Sequence, residues 1–133
     1  MTQGYTTHFS PRFSETDGLG HINNTVIPVW FEAARDPIFK IFVPSLEISH
    51  WNLILAGFSV DFKAPTFYGS DVKVVTSISR IGNSSFEVHQ KCYQNDELTA
   101  EGRTQMVHFD YETNRSQPIS EGIRAELKQW LVD

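Results

Sequence analysis

Thr25-Val-Ile-Pro-Val-Trp-Phe-Glu-Ala-Ala-Arg-Asp-Pro-Ile-Phe-Lys-Ile-Phe42 is the stretch on which the fold turns. Its polar residues Glu32, Arg35, Asp36 and Lys40 fall three, four or eight apart, which puts them on one narrow face of a helix. The rest of the circumference is apolar, and such a helix has to be buried over most of its surface. Asn24 or Thr25 can cap its start, and Pro28 is tolerated in the first turn. Pro37 removes the hydrogen bond to Ala33, so the helix should kink there or restart with Asp36 as a new cap. Glu32 and Arg35, one turn apart, are expected to pair on the helix surface or to meet an interface.

Working outward, period two replaces the helical period. Phe58, Val60 and Phe62 alternate with Gly57, Ser59, Asp61 and Lys63. Val72, Val74, Thr76 and Ile78 share one face. Phe86, Val88, Gln90 and Cys92 alternate with Glu87, His89, Lys91 and Tyr93, and Val107, Phe109 and Tyr111 share a face in the last segment. Alternation over such lengths marks strands. Gly82-Asn83 and Asn95-Asp96 tolerate positive φ and read as hairpins. Upstream, Thr7 to Phe13 looks extended, but Pro11 cannot donate to a ladder, which places it on an edge or at a bulge. Downstream, Ser120 starts a second helix with Ile123, Leu127, Trp130 and Leu131 on one stripe. The order is one strand, one buried helix, four long antiparallel strands and one surface helix, an α+β domain with a curved sheet around a central helix. One helix covers only part of such a sheet, so pairing with a second copy is physically reasonable.

The 133 residues fit a single domain, 1–133, and 40% hydrophobic content is ordinary for a globular chain. Ten Phe within 13% aromatics suggest a core or pocket with large flat walls. A net charge of −5 argues against nucleic acid as a partner, since that needs a basic face. Cys92 is the one cysteine, so no disulfide can form within the chain. The start, Met1 to His8, has neither a basic n-region nor an apolar h-region. The most apolar run, Trp51 to Val60, is too short and too polar to span a bilayer. The expectation is a cytoplasmic protein with no membrane partner.

Between strand and helix lies Arg12-Phe-Ser-Glu-Thr-Asp-Gly-Leu-Gly-His-Ile-Asn-Asn24. This segment, with the order of elements, resembles the 4-hydroxybenzoyl-CoA thioesterase-like branch of the hotdog superfamily. Further matches are Trp30-Phe-Glu-Ala-Ala-Arg35, Asp61-Phe-Lys-Ala-Pro65, Tyr68-Gly-Ser-Asp71 and Arg80-Ile-Gly-Asn-Ser-Ser-Phe86, so the similarity runs from about Phe9 to Leu131. The resemblance implies a single hotdog domain: a curved antiparallel sheet wrapped around one long central helix, with a C-terminal surface helix. It implies a homodimer or homotetramer with active sites at the subunit interface. It also implies hydrolysis of acyl- or aroyl-CoA, with coenzyme A as part of the substrate and no other cofactor.

Thioester hydrolysis needs an activated water or nucleophile, donors for the oxyanion, and a hold on the pantetheine arm. Asp17 matches the family's catalytic carboxylate and can attack the carbonyl or serve as general base. Backbone N–H groups of the loop entering the helix, at Gly20 and His21, are the candidate oxyanion donors. The His21 ring can also donate, and Asn24 can position water or orient a loop carbonyl. Arg80 with Gly82, Ser84 and Ser85 is the candidate hold on the anionic end of coenzyme A. Trp30, Phe58 or Tyr68 would flank the acyl group.

Each residue also has a plainer reading. Asp17 in Glu-Thr-Asp-Gly suits an Asx turn. His21 can be a turn histidine, Arg80 a solvated strand-end charge, and Cys92 a packing residue. Asp17 and His21 are four apart, but no neighbouring Cys, His or carboxylate completes a metal shell, so no metal site is expected. The competing functions are a hydratase, whose differently spaced His and Asp are absent, a non-catalytic acyl-CoA-binding module, and a thioesterase for acyl carrier protein.

Overall fold

The computed structural model describes residues 4–132, so the ends of the expected 1–133 domain, residues 1–3 and 133, lie outside the described residues. In chain order the elements are β1 (Tyr5–Phe9), α1 (Val26–Ala34), α2 (Asp36–Phe42), β2 (Leu53–Phe62), β3 (Val72–Ile81), β4 (Ser85–Gln94), β5 (Glu97–Asp110), β6 (Arg115–Ser116) and α3 (Glu121–Leu127). The strands form one antiparallel sheet in the order β1-β3-β4-β5-β2, with the short β6 paired to β5. Asn95 and Asp96 take φ of 52° and 65°, the paired positive values of a tight two-residue hairpin. Ser120 caps α3 by accepting from the Ile123 amide at 3.3 Å.

The helices pack on one face of the sheet. α2 and α3 cover Leu53, Ile78, Phe86 and Val88, while α1 covers Val72, Val74, Cys92 and Ala100. Gly102 lets α1 lie close to the sheet, because a Cβ there would come within 2.8 Å of the Phe31 ring. On β5 the buried face is Ala100, Gly102, Thr104, Met106 and His108, so Val107 and Phe109 look outward. Tyr111 lies beyond the strand and donates its hydroxyl to the Leu53 carbonyl at 2.7 Å.

The one long central helix of the sequence expectation is instead two short helices. α1 ends at Ala34 and α2 restarts with Asp36 and Pro37 in its first turn. Pro37 has no N–H to return to Ala33, so the ladder cannot run through. Capping also differs from expectation. Asn23, rather than Asn24 or Thr25, accepts from both the Thr25 amide and hydroxyl at 2.9 Å. Thr25 is already helical in φ and ψ, so the capping position falls earlier.

The expected surface pair of Glu32 and Arg35 does not form. Arg35 is only 7% exposed and reaches into the sheet, where Nη1 donates to Gln90 and Thr104 at 3.3 Å. The break at Arg35 turns it off the exposed stripe of Glu32, Asp36 and Lys40.

β2 is an edge strand with an uncovered apolar face. Phe58, Val60 and Phe62 stand opposite Thr104, Gly102 and Ala100, which puts their side chains on the helix-bearing face. Phe58 is nevertheless 57% and Phe62 49% exposed. Cys92, by contrast, is fully buried, and burial pushes its thiol pKa up. A chromogenic thiol reagent is expected to find no reactive thiol in the native protein and one after denaturation; prompt native labelling would contradict this placement.

Candidate active site

The loop before α1 is a small closed hairpin. Asp17 N–H donates to the His21 carbonyl and Asn23 N–H to the Glu15 carbonyl, both at 2.8 Å. The turn between them needs φ of +90° at Gly18 and +84° at Gly20. A Cβ on Gly20 would meet nothing within 4 Å, so conformation and not space selects glycine. Gly20→Ala is therefore expected to cost about 1–2 kcal/mol of stability, read by denaturant melts; an unchanged midpoint would show that the loop relaxes freely.

Two side chains fix this hairpin in the fold. Glu15 accepts from the Arg12 amide at 2.7 Å and from the Trp30 indole at 3.2 Å, tying the loop to α1. The return limb pairs with the chain after β2: Ile22 N–H reaches the Thr66 carbonyl at 2.7 Å, and His21 faces Phe67. Gln94 of β4 holds that segment through three bonds of 2.8 Å, to the Phe67 amide and the Phe67 and Ser70 carbonyls.

Asp17 is exposed, and its Oδ1 accepts from the Leu19 amide at 2.9 Å. That is the Asx turn of the plainer reading. Among the described residues no hydrogen bond uses Oδ2, so one carboxylate oxygen is free. A cavity of about 460 Å³ lies alongside, lined by Asp17, His21, Asn24 and Ile27 on one side and by Phe62, Lys63 and Thr66 on the other. Asp17, His21 and Asn24 thus share one cavity, with Gly20 in the loop bordering it. The amides of Gly20 and His21 take no part in the hairpin's bonds. The His21 ring lies edge-on to Phe67 at 5.0 Å.

The model of the thioesterase-like superfamily matches residues 11–130. The chain belongs to the thioesterase-like superfamily. That places it among thioester hydrolases. It is 44% identical to a predicted thioesterase from Bacillus stearothermophilus, with 98% of each chain covered and a TM-score of 0.95. It is 28% identical to a thioesterase from Thermus thermophilus, whose structure was solved with coenzyme A and zinc; 96% of this chain and 92% of that one are covered, with a TM-score of 0.83. It is also 28% identical over 111 residues to the uncharacterised protein YsmA of Bacillus subtilis, covering 80% of this chain and 74% of that protein.

In this member of the superfamily, the residues expected to hold coenzyme A lie elsewhere. Arg80 donates to Gln105 at 3.0 Å and to Ser85 at 3.4 Å. Gly82 N–H bonds the Ser85 carbonyl, and the Ser84 carbonyl accepts from the His108 amide. This hairpin closes the end of β3 remote from Asp17, about 30 Å away along a strand of that length. Within one chain the two halves of the expected site do not meet. Trp30 is buried against Phe9 and Tyr68 lies against Phe13, so of the three aromatics only Phe58 borders the helix-side crevices. Sequence reasoning missed Lys63 and Thr66. Lys63 lies in the matched stretch Asp61 to Pro65 and Thr66 follows it directly, but nothing in a strand end says that it folds back beside the loop.

Proposed function

We propose that this chain hydrolyses acyl- or aroyl-CoA, adding water across the carbonyl–sulfur bond to release the acid and coenzyme A. The observation that carries this is Asp17: a carboxylate with one oxygen pinned by its own loop, one oxygen free, and a cavity beside it. Asp17 acts as nucleophile or general base, and a base aimed at water contributes about 10²–10⁴ in rate. The uncommitted amides of Gly20 and His21 are the oxyanion donors, each worth about 3–4 kcal/mol. Asn24, freed from capping by Asn23, orients the attacking water. Coenzyme A as the carrier is supported by the bound Thermus relative. The reaction draws on no metal or further cofactor. A cytoplasmic location goes with the same reading, as Cys92 is a free thiol suited to a reducing compartment.

The site is completed by a second copy. β2 runs from the Arg80 hairpin end of the sheet to the Asp17 end, because Leu53 faces His108 and Phe62 faces Ala100. A twofold axis through the middle of β2 joins two sheets antiparallel and brings one copy's hairpin end alongside the other's Asp17 end. It also covers Leu55, Phe58 and Phe62. Arg80, Gly82, Ser84 and Ser85 then meet the coenzyme A phosphates from across the interface.

The test is thiol release from a panel of short, medium and aromatic acyl-CoAs. Because Cys92 is silent, any signal above blank is coenzyme A. No release across the panel would reduce the chain to an acyl-CoA-binding module.

A further inference from the structure

Two more crevices follow the Asp17 cavity along the seam between α1 and β2. The first, about 170 Å³, is walled by Phe31, Phe58 and Val60; the second, about 660 Å³, by Phe39, Trp51 and Met106. Leu55 and Arg35 border both. The walls advance in register, from Ile27 and Phe62 at the Asp17 cavity to Phe31 and Val60, then to Arg35 and Leu55. An acyl group starting at Asp17 has this seam as its path.

Arg35 is the anomaly in it. It is 93% buried, yet among the described residues it makes no ion pair. Nη1 is held by the neutral oxygens of Gln90 and Thr104. Nε is buried without a partner, and no hydrogen bond uses Nη2. Nε and Nη2 form the side of a guanidinium that takes a carboxylate through two parallel bonds. Glu32 lines the same crevices, but it is exposed and water screens its charge. A cation removed from water without a counter-charge is unfavourable, and desolvation indeed pulls Arg35 below its ordinary pKa.

We propose that Arg35 reads the far end of the acyl group, and that the preferred substrates are thioesters carrying a distal carboxylate. The inference rests on the thioesterase reading. Ile27 to Arg35 spans about 12 Å at the helical rise, which suits an extended medium-length ω-carboxyacyl chain.

Decanoyl-CoA and decanedioyl-CoA differ only in the ω-carboxylate. Wild-type kcat/KM is expected to be at least about tenfold higher for decanedioyl-CoA, given what one buried, paired charge contributes. Calorimetric binding of the two esters to Asp17→Asn should show the same order. Arg35→Met should bring the ratio near unity, and Arg35→Lys should keep part of it. Equal kcat/KM and equal binding in proteins that retain Arg35 would overturn the proposal while leaving hydrolysis of other acyl-CoAs intact. No thiol release from any ester would instead sink the thioesterase reading, and the binding preference would still decide on Arg35. Neither the wild-type comparison nor the Asp17→Asn comparison depends on Arg35→Met folding. If Arg35→Met weakens self-association and leaves the ratio unchanged, the missing counter-charge comes from the second copy and the proposal fails.

Discussion

Asp17→Asn is expected to lower acyl-CoA turnover about 10²–10⁴-fold without changing the melting temperature. The amide oxygen still accepts from Leu19, so the Asx turn survives while the charge is lost. Asp17→Ala removes both, and should add a stability loss of about 0.5–1.5 kcal/mol, the worth of one hydrogen bond. Comparing the two variants separates the carboxylate's chemistry from its turn. KM should move less than kcat, because the proposed mechanism has the free Oδ2 act on the reacting centre and not on the coenzyme A arm. Activity within threefold of wild type in Asp17→Asn would remove Asp17 from the mechanism.

Val60→Pro is expected to weaken the proposed dimer and to lower activity with it. The hydrogen-bond pattern of β2 decides the choice of residue. Lys63 N–H bonds the Thr99 carbonyl, and the register runs on from Phe62 opposite Ala100. Antiparallel strands alternate, so Asp61, Ser59 and Gly57 bond inward to β5, and Phe62, Val60 and Phe58 present theirs at the open edge. Proline at 60 removes an edge donor and spares the ladder to β5. Two symmetry-related bonds of about 1 kcal/mol each are lost, so association should weaken about thirtyfold or more. Sedimentation against concentration reads the association, and activity should follow the dimer fraction. A Val60→Pro monomer with full turnover would place the whole site within one chain.

The elements that periodicity can see were legible. The strand alternation, the Asn95-Asp96 turn, the Ser120 cap and the interruption at Pro37 all follow from local rules, and all are present. What local rules cannot supply is which face looks inward. Val107 and Phe109 form a regular apolar face, yet the core takes Gly102, Thr104 and Met106, because Phe31 needs the space that glycine leaves. Arg35 reads as a surface charge from its spacing, and only the break between α1 and α2 turns it into the sheet. At the site, Asp17, His21 and Asn24 share one short segment of sequence and so were found together. Lys63 and Thr66 enter through the pairing of Ile22 with Thr66, a contact between distant segments that one sequence does not announce. Arg80 and its hairpin carried a matched motif, but a motif says nothing about which copy it serves.

In the proposed enzyme the thioesterase site is shared between two copies, Asp17 from one and the Arg80 hairpin from the other. Subunit mixing tests it most directly. Asp17→Asn and a hairpin variant, Arg80→Glu with Ser84→Glu, should each be weakly active alone. Mixed and allowed to exchange, they should regain acyl-CoA hydrolysis, because one of the two sites in the heterodimer carries both intact halves. Exchange confirmed by mass, with activity no higher than the sum of the separate variants, would contradict the shared site.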